Sequence, residues 1–195
     1  MPHDSISLIR AHLEASAAVT LKAAAECAPA IARGADLIAK SLSGGGKLLL
    51  CGNGGSAANC QHLAAEFVNL LDRDRPRPPL SAIALTTDTS LLTAIANDHG
   101  FEEVFERQVE AMGRRGDVLL GITTGGASQS VVRAVRQARR QDVATIVFTG
   151  AGGGEAAALS DVAVHVPSDR TQHIQEIHIA LGHVLCALVE QRIAG

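Results

Sequence analysis

His62 and Glu66 stand four residues apart, and a second set of polar groups, Gln175, Glu176, His178 and His183, lies near the C-terminus. On a helix, side chains at i and i+4 share a face at about 6 Å. A histidine and a carboxylate so placed can share a proton or a metal ion, or form an exposed pair worth a few tenths of a kcal/mol. His183 is set among Leu181, Gly182, Val184 and Leu185, where an imidazole needs a polar partner, whether as a core histidine or as part of a site.

Two further stretches carry donors suited to an anion. In Cys51-Gly52-Asn53-Gly54-Gly55-Ser56 the glycines allow close backbone approach, and Ser56 is placed to cap the next helix, which predicts a floor for a phosphate or a sugar oxygen. Thr123-Thr124-Gly125-Gly126-Ala127-Ser128 puts hydroxyls before a helix N-terminus, an arrangement that receives a phosphate without Lys or Arg. Neither is a nucleotide motif. The Gly-Lys-Ser/Thr of a P-loop is missing, and no G-x-G-x-x-G follows the first apolar run.

These groups need elements to hold them. Apolar runs at 47–52, 82–86, 117–123, 143–149 and 162–166 alternate with helical stretches, including predicted helices over 55–71, 128–140 and 168–191. Continuous apolar runs suit strands covered on both faces, so the pattern predicts an α/β fold: a doubly wound, five-stranded parallel sheet flanked by helices. Residues 4–43 precede it as two Ala-rich helices divided near Pro29 and stopped by Gly44-Gly45-Gly46. One domain is expected over 1–195, with 1–45 as N-terminal helices and 46–195 as the α/β body. Ligands of such sheets sit beyond the carboxyl ends of the strands, where Gly52–Ser56, Thr86–Thr89, Thr123–Ser128 and Thr149–Gly154 should converge. The prolines of Arg73–Pro79 mark an irregular connection, and the arginines around them read as solvated.

Composition narrows the function. A net charge of −3 gives no basic footprint for nucleic acid, and four Phe with no Tyr or Trp leave little surface for stacking bases or sugar rings. Recognition must rest on hydrogen bonds. Cys27, Cys51, Cys60 and Cys186 have no CxxC spacing and read as reduced, buried thiols. No segment reaches 18 apolar residues and the N-terminus lacks a signal-peptide core, so no membrane association and a cytoplasmic location are expected.

Taken together, Cys51–Ala58, Gln61-His62-x-x-x-Glu66-Phe67, Leu85–Ser90, Leu92–Asp98, Gly116–Leu119 and Ile174-Gln175-Glu176 with His183 resemble the phosphoheptose isomerases of the sugar isomerase (SIS) family over nearly the whole chain. The resemblance implies interconversion of sedoheptulose 7-phosphate and D-glycero-D-manno-heptose 7-phosphate through an enediol, the first step in supplying heptose to lipopolysaccharide core. It implies a homotetramer with sites at subunit contacts and one zinc ion per subunit. By position, His62, Glu66, Gln175 and His183 match the family's metal ligands, with Glu66 and His183 also its acid/base residues. Asn53, Gly54, Gly55, Asn97 and Asp98 match substrate contacts, with Ser56, Glu66 and Gln175 in the same set, and Thr123, Thr124, Gly125 and Ser128 match the phosphate loop. Two positions depart from the family pattern: Gly125 stands where a serine is usual, and Leu70 where arginine is often found. The competing reading is a non-catalytic SIS protein that binds the replication initiator; such a protein need not retain Glu66 and His183.

Overall fold

The structure, a computed structural model, describes residues 5–194. Two helices come first, α1 (Ser5–Glu26) and α2 (Ala28–Ser43), separated at Cys27. The expected break near Pro29 is there because proline, with no N–H to lose, sits in the first turn of α2. Five strands follow: β1 (Leu48–Gly52), β2 (Ala82–Ala84), β3 (Val118–Ile122), β4 (Ala144–Thr149) and β5 (Val162–His165). All pair in parallel in the order β2-β1-β3-β4-β5.

The connections are helical: α3 (Gly55–Val68) after β1, α4 (Thr89–His99) and α5 (Glu106–Met112) after β2, α6 (Gln129–Arg140) after β3, α7 (Gly154–Leu159) after β4, and α8 (Thr171–Ala194) last. Alternate strand residues feed two cores, as the pleat requires. Leu48, Leu50, Leu120, Ile122 and Phe148 face α2, α3 and α8, whereas Leu49, Cys51, Leu119 and Val147 face α5 and α6. The sheet is therefore covered on both sides.

The expectation of strands buried on both faces holds for β1 and β3, which are buried throughout. It does not hold at the edges. β2 ends at Ala84, short of the expected Thr86, and exposes Ile83, and β5 exposes His165. An edge strand needs less apolar cover because one side has no neighbour. All four cysteines are free and buried. Burial pushes the Cys51 and Cys186 thiols up to about 12, so neither is a nucleophile near neutral pH. Among the described residues no helix is long and apolar enough to cross a membrane.

Candidate active site

The strand order reverses direction between β1 and β3, and the loops that follow these two strands open a crevice there. Asn53, just after β1, donates its side-chain amide to Ser128 Oγ and Ser130 Oγ, each at 2.9 Å, and so ties the two loops together. Ser130 is buried and was not singled out in the sequence. It sits inside a helix with no spacing signal, and only the long-range contact with Asn53 exposes its part. Ser128 is the N-cap residue of α6 but makes no side-chain cap, because its hydroxyl is committed to Asn53 and Ser130.

Ser56 does not cap α3, contrary to expectation. Gly54 is the N-cap residue, and Ser56 lies buried in the first turn. Gly54 and Gly55 remain exposed at the start of α3, where the Ser56 and Ala57 N–H groups already donate to the Asn53 carbonyl. In the loop after β3, Thr123 Oγ1 accepts the Gly126 N–H at 3.3 Å, and the Thr124 carbonyl accepts from Gly150 at 2.9 Å, which binds this loop to the one after β4. Gly126 has φ +68°, and a Cβ there would lie 1.8 Å from the Gly153 carbonyl oxygen, so backbone meets backbone and no side chain fits. Gly125 is different: a Cβ there meets nothing within 4 Å. Thr86 is the remaining loop partner, accepting through its carbonyl from Gln61 Nε2 on α3 at 3.4 Å.

α3 and α8 run side by side, held close where Gly182 lets Leu63 in: a Cβ at Gly182 would fall 2.6 Å from a Leu63 methyl. Leu63 and Phe67 are fully buried on this face of α3, at roughly 1.5–3 kcal/mol each. The residues beside that contact, His62 and His183, face each other with Nε2 atoms 2.8 Å apart, and Glu66 Oε1 lies 3.3 Å from His62 Nε2. The three ligand atoms are all within 4.8 Å of one another. Two imidazole nitrogens this close need a proton or a cation between them, since facing lone pairs repel. Two nitrogens and a carboxylate oxygen are also the donors zinc prefers.

Gln175 is not brought to this cluster within one chain. It is the fifth residue of a regular helix, eight before His183, and so about 12 Å from it along the axis. Its side-chain amide instead covers Gly55, where a Cβ would lie 2.6 Å from Oε1, and its backbone carbonyl accepts from Asn59 Nδ2 at 3.3 Å. Asn97 and Asp98 pair with each other at 2.7 Å in the exposed last turn of α4; no hydrogen bond among the described residues links them to the crevice. Leu70 is half-buried just beyond the end of α3.

Arg77 overturns the solvated reading of its segment. Its side chain is largely covered, pairs with Glu190 at 2.8 Å, and donates to the carbonyls of Phe67 and Glu66 at 2.9 and 2.8 Å, closing the C-terminal turn of α3. A charge can be buried there because carboxylate and carbonyl oxygens meet its fork of donors. His178 is a core histidine: burial pushes it down to about 4, and its neutral ring meets the Thr149 carbonyl at 3.2 Å, behind the loop after β4.

The SIS domain model matches residues 11–150. The chain is 53% identical over 190 residues to the phosphoheptose isomerase of Desulfovibrio desulfuricans, covering 97% of this chain and 90% of that protein. It is 51% identical over 170 residues to the phosphoheptose isomerase of Rhodospirillum rubrum, covering 87% and 89%. Among solved structures, the phosphoheptose isomerase of Neisseria gonorrhoeae superposes with TM-score 0.89 at 44% identity, covering 95% of this chain and 98% of that one.

Proposed function

Because the chain belongs to the phosphoheptose isomerases of the SIS-domain family, we propose that it interconverts sedoheptulose 7-phosphate and D-glycero-D-manno-heptose 7-phosphate in the crevice between the loops after β1 and β3. The observation that carries this reading is the separation of two unlike sites along α3. The anion-suited loops meet its N-terminus, and the His62–Glu66–His183 cluster lies seven residues on, about 10 Å along the axis. A seven-carbon sugar phosphorylated at C7 carries its charge and its reactive C1 and C2 at opposite ends. Such a molecule matches both sites at once.

The reaction removes a proton from C1 of the ketose and returns one to C2, while a hydroxyl proton passes between the two oxygens. Two acid/base groups suffice. Glu66 and His183 take these parts, one serving carbon and the other oxygen, and His62 fixes the His183 ring through their short contact. The Thr123–Ser128 loop and the first amides of α6 hold the phosphate, so the end of the sugar remote from the reaction sets its position. The donors of His62, Glu66 and His183, with Gln175 as the family's fourth, would hold a zinc ion, which would supply polarisation of the substrate oxygens.

The same reading includes a homotetramer with shared sites. Supporting it are Gln175, apart from the cluster of its own chain, the exposed Asn97–Asp98 pair, and the exposed Ile9, Leu13 and Leu21 on α1. The test is to incubate the protein with sedoheptulose 7-phosphate, follow aldose formation with and without a chelator, and size the same preparation by light scattering. Absence of any aldose with and without added zinc overturns the activity, and the mass of one chain overturns the tetramer.

Gly125 supplies a separate prediction. Open space at its Cβ lets Gly125→Ser fold unchanged and place a hydroxyl in the phosphate loop, so phosphosugar KM should fall several-fold with little change in Tm. An unchanged or higher KM places the phosphate elsewhere.

A further inference from the structure

Away from the crevice, α1 and α8 share a second cluster. His12 Nε2 lies 2.8 Å from Glu176 Oε1, His173 Nδ1 lies 3.2 Å from Glu176 Oε2, and the two imidazole rings are 4.7 Å apart. Ser16 Oγ donates to Glu176 Oε2 at 2.6 Å. Both Glu176 carboxylate oxygens are thus engaged, one by His12 and the other by Ser16 and His173. None of these residues belongs to the proposed isomerase site, although Glu176 follows Gln175 on the same helix.

We propose that His12, His173 and Glu176 form a second metal site, for a divalent first-row transition ion such as zinc, which staples α1 to α8. One donor atom from each residue lies within 4.8 Å of the others. Bonds of about 2.0–2.2 Å to a tetrahedral ion put donors roughly 3.4 Å apart, so the cluster closes on an ion with side-chain shifts of about an ångström. Two imidazoles and a carboxylate select zinc-like ions over magnesium or calcium, which take oxygen donors. Ser16 supplies the outer hydrogen bond that orients a ligating carboxylate, and the half-exposed His12 and Glu176 leave solvent access for entry and for a water as fourth ligand.

The location gives such an ion a structural task. Ala23 is the one buried residue of α1 among those described, and Ile6, Leu8, Ile9 and Leu13 in its first half are all more than half exposed. Apolar packing within the chain therefore holds the first half of α1 weakly, and the His12–Ser16–Glu176–His173 cluster supplies its polar link to α8. The other His/Glu cluster joins α3 to α8, and Glu176 and His183 lie about 10 Å apart along α8, so the two sites can be emptied independently.

The test uses the full chain carrying His62→Ala and His183→Ala, stripped of metal and titrated with zinc by calorimetry and with cobalt(II) by its visible absorption. One tight equivalent should bind and raise Tm. Adding His12→Ala, or separately Glu176→Gln, should weaken binding at least tenfold and abolish the rise in Tm, with circular dichroism confirming that each variant is folded before titration. Glu176→Gln preserves the shape of the cluster, so the test survives if His12→Ala unsettles α1. Failure of the doubly substituted chain to bind zinc, or binding unchanged by both added substitutions, overturns the second site. Because the readout is metal binding in a chain without the first cluster, the result is independent of whether the isomerase reading holds.

Discussion

Glu66→Gln and His183→Gln should each cut isomerase turnover by about 10²–10⁴-fold, the usual contribution of a positioned acid or base, while melting and oligomer size stay close to those of the parent. Such losses correspond to roughly 3–5.5 kcal/mol of barrier. Both side chains are partly solvent-exposed and lie at the α3–α8 seam, whose packing comes from Leu63, Phe67 and Gly182, so the amide replacements leave the apolar contact intact. The measurement is kcat with sedoheptulose 7-phosphate at saturating substrate. Near-parental kcat in both variants would sink the assignment of these two residues as the acid/base pair.

Arg77→Ala should be the most destabilising single change outside the strands, by about 3–5 kcal/mol, because it leaves the largely covered Glu190 carboxylate without its cation. It also releases the carbonyls of Glu66 and Phe67 at the end of α3. The denaturant midpoint reads the loss. The double variant Arg77→Met/Glu190→Met should recover part of it, since apolar replacement of both partners removes the unpaired charge. A loss below about 1 kcal/mol in Arg77→Ala would show that water reaches Glu190 and that the pair is effectively a surface one.

How far the chain could be read without coordinates depended on the range of each interaction. β1 and β3 stand out as unbroken apolar runs because both their faces are covered, and the glycine stop before β1 and the Pro29 break are local backbone effects that need no neighbours. His62 and Glu66 were visible as a pair because helical spacing alone sets their separation. Ser130, Arg77 and the true cap of α3 were hidden for the opposite reason. Each is decided by a partner distant in sequence or by competition between hydrogen bonds. Ser56 has the residue type of a cap, yet helix α3 starts two residues earlier than a Ser56 cap would allow, at Gly55 with Gly54 as its cap. An arginine among prolines has every mark of a solvated loop until Glu190, 113 positions later, comes to meet it. The His12–Glu176 contact spans 164 positions and left no trace in local pattern.

The partnership of α2 with α8 has a consequence during synthesis. α2 ends at Ser43 and packs most extensively against α8, which begins only at Thr171. Ile31, Ala35 and Ile38 are buried in the finished chain, and Arg192 reaches back to Asp36 at 2.6 Å. At ordinary elongation rates the ribosome needs roughly 6–25 s to travel from the end of α2 to the start of α8. For that interval the nascent chain carries an apolar helix face whose principal cover has not been made, a natural landing place for a chaperone. Emergence of α8, rather than closure of the sheet, ends that exposure.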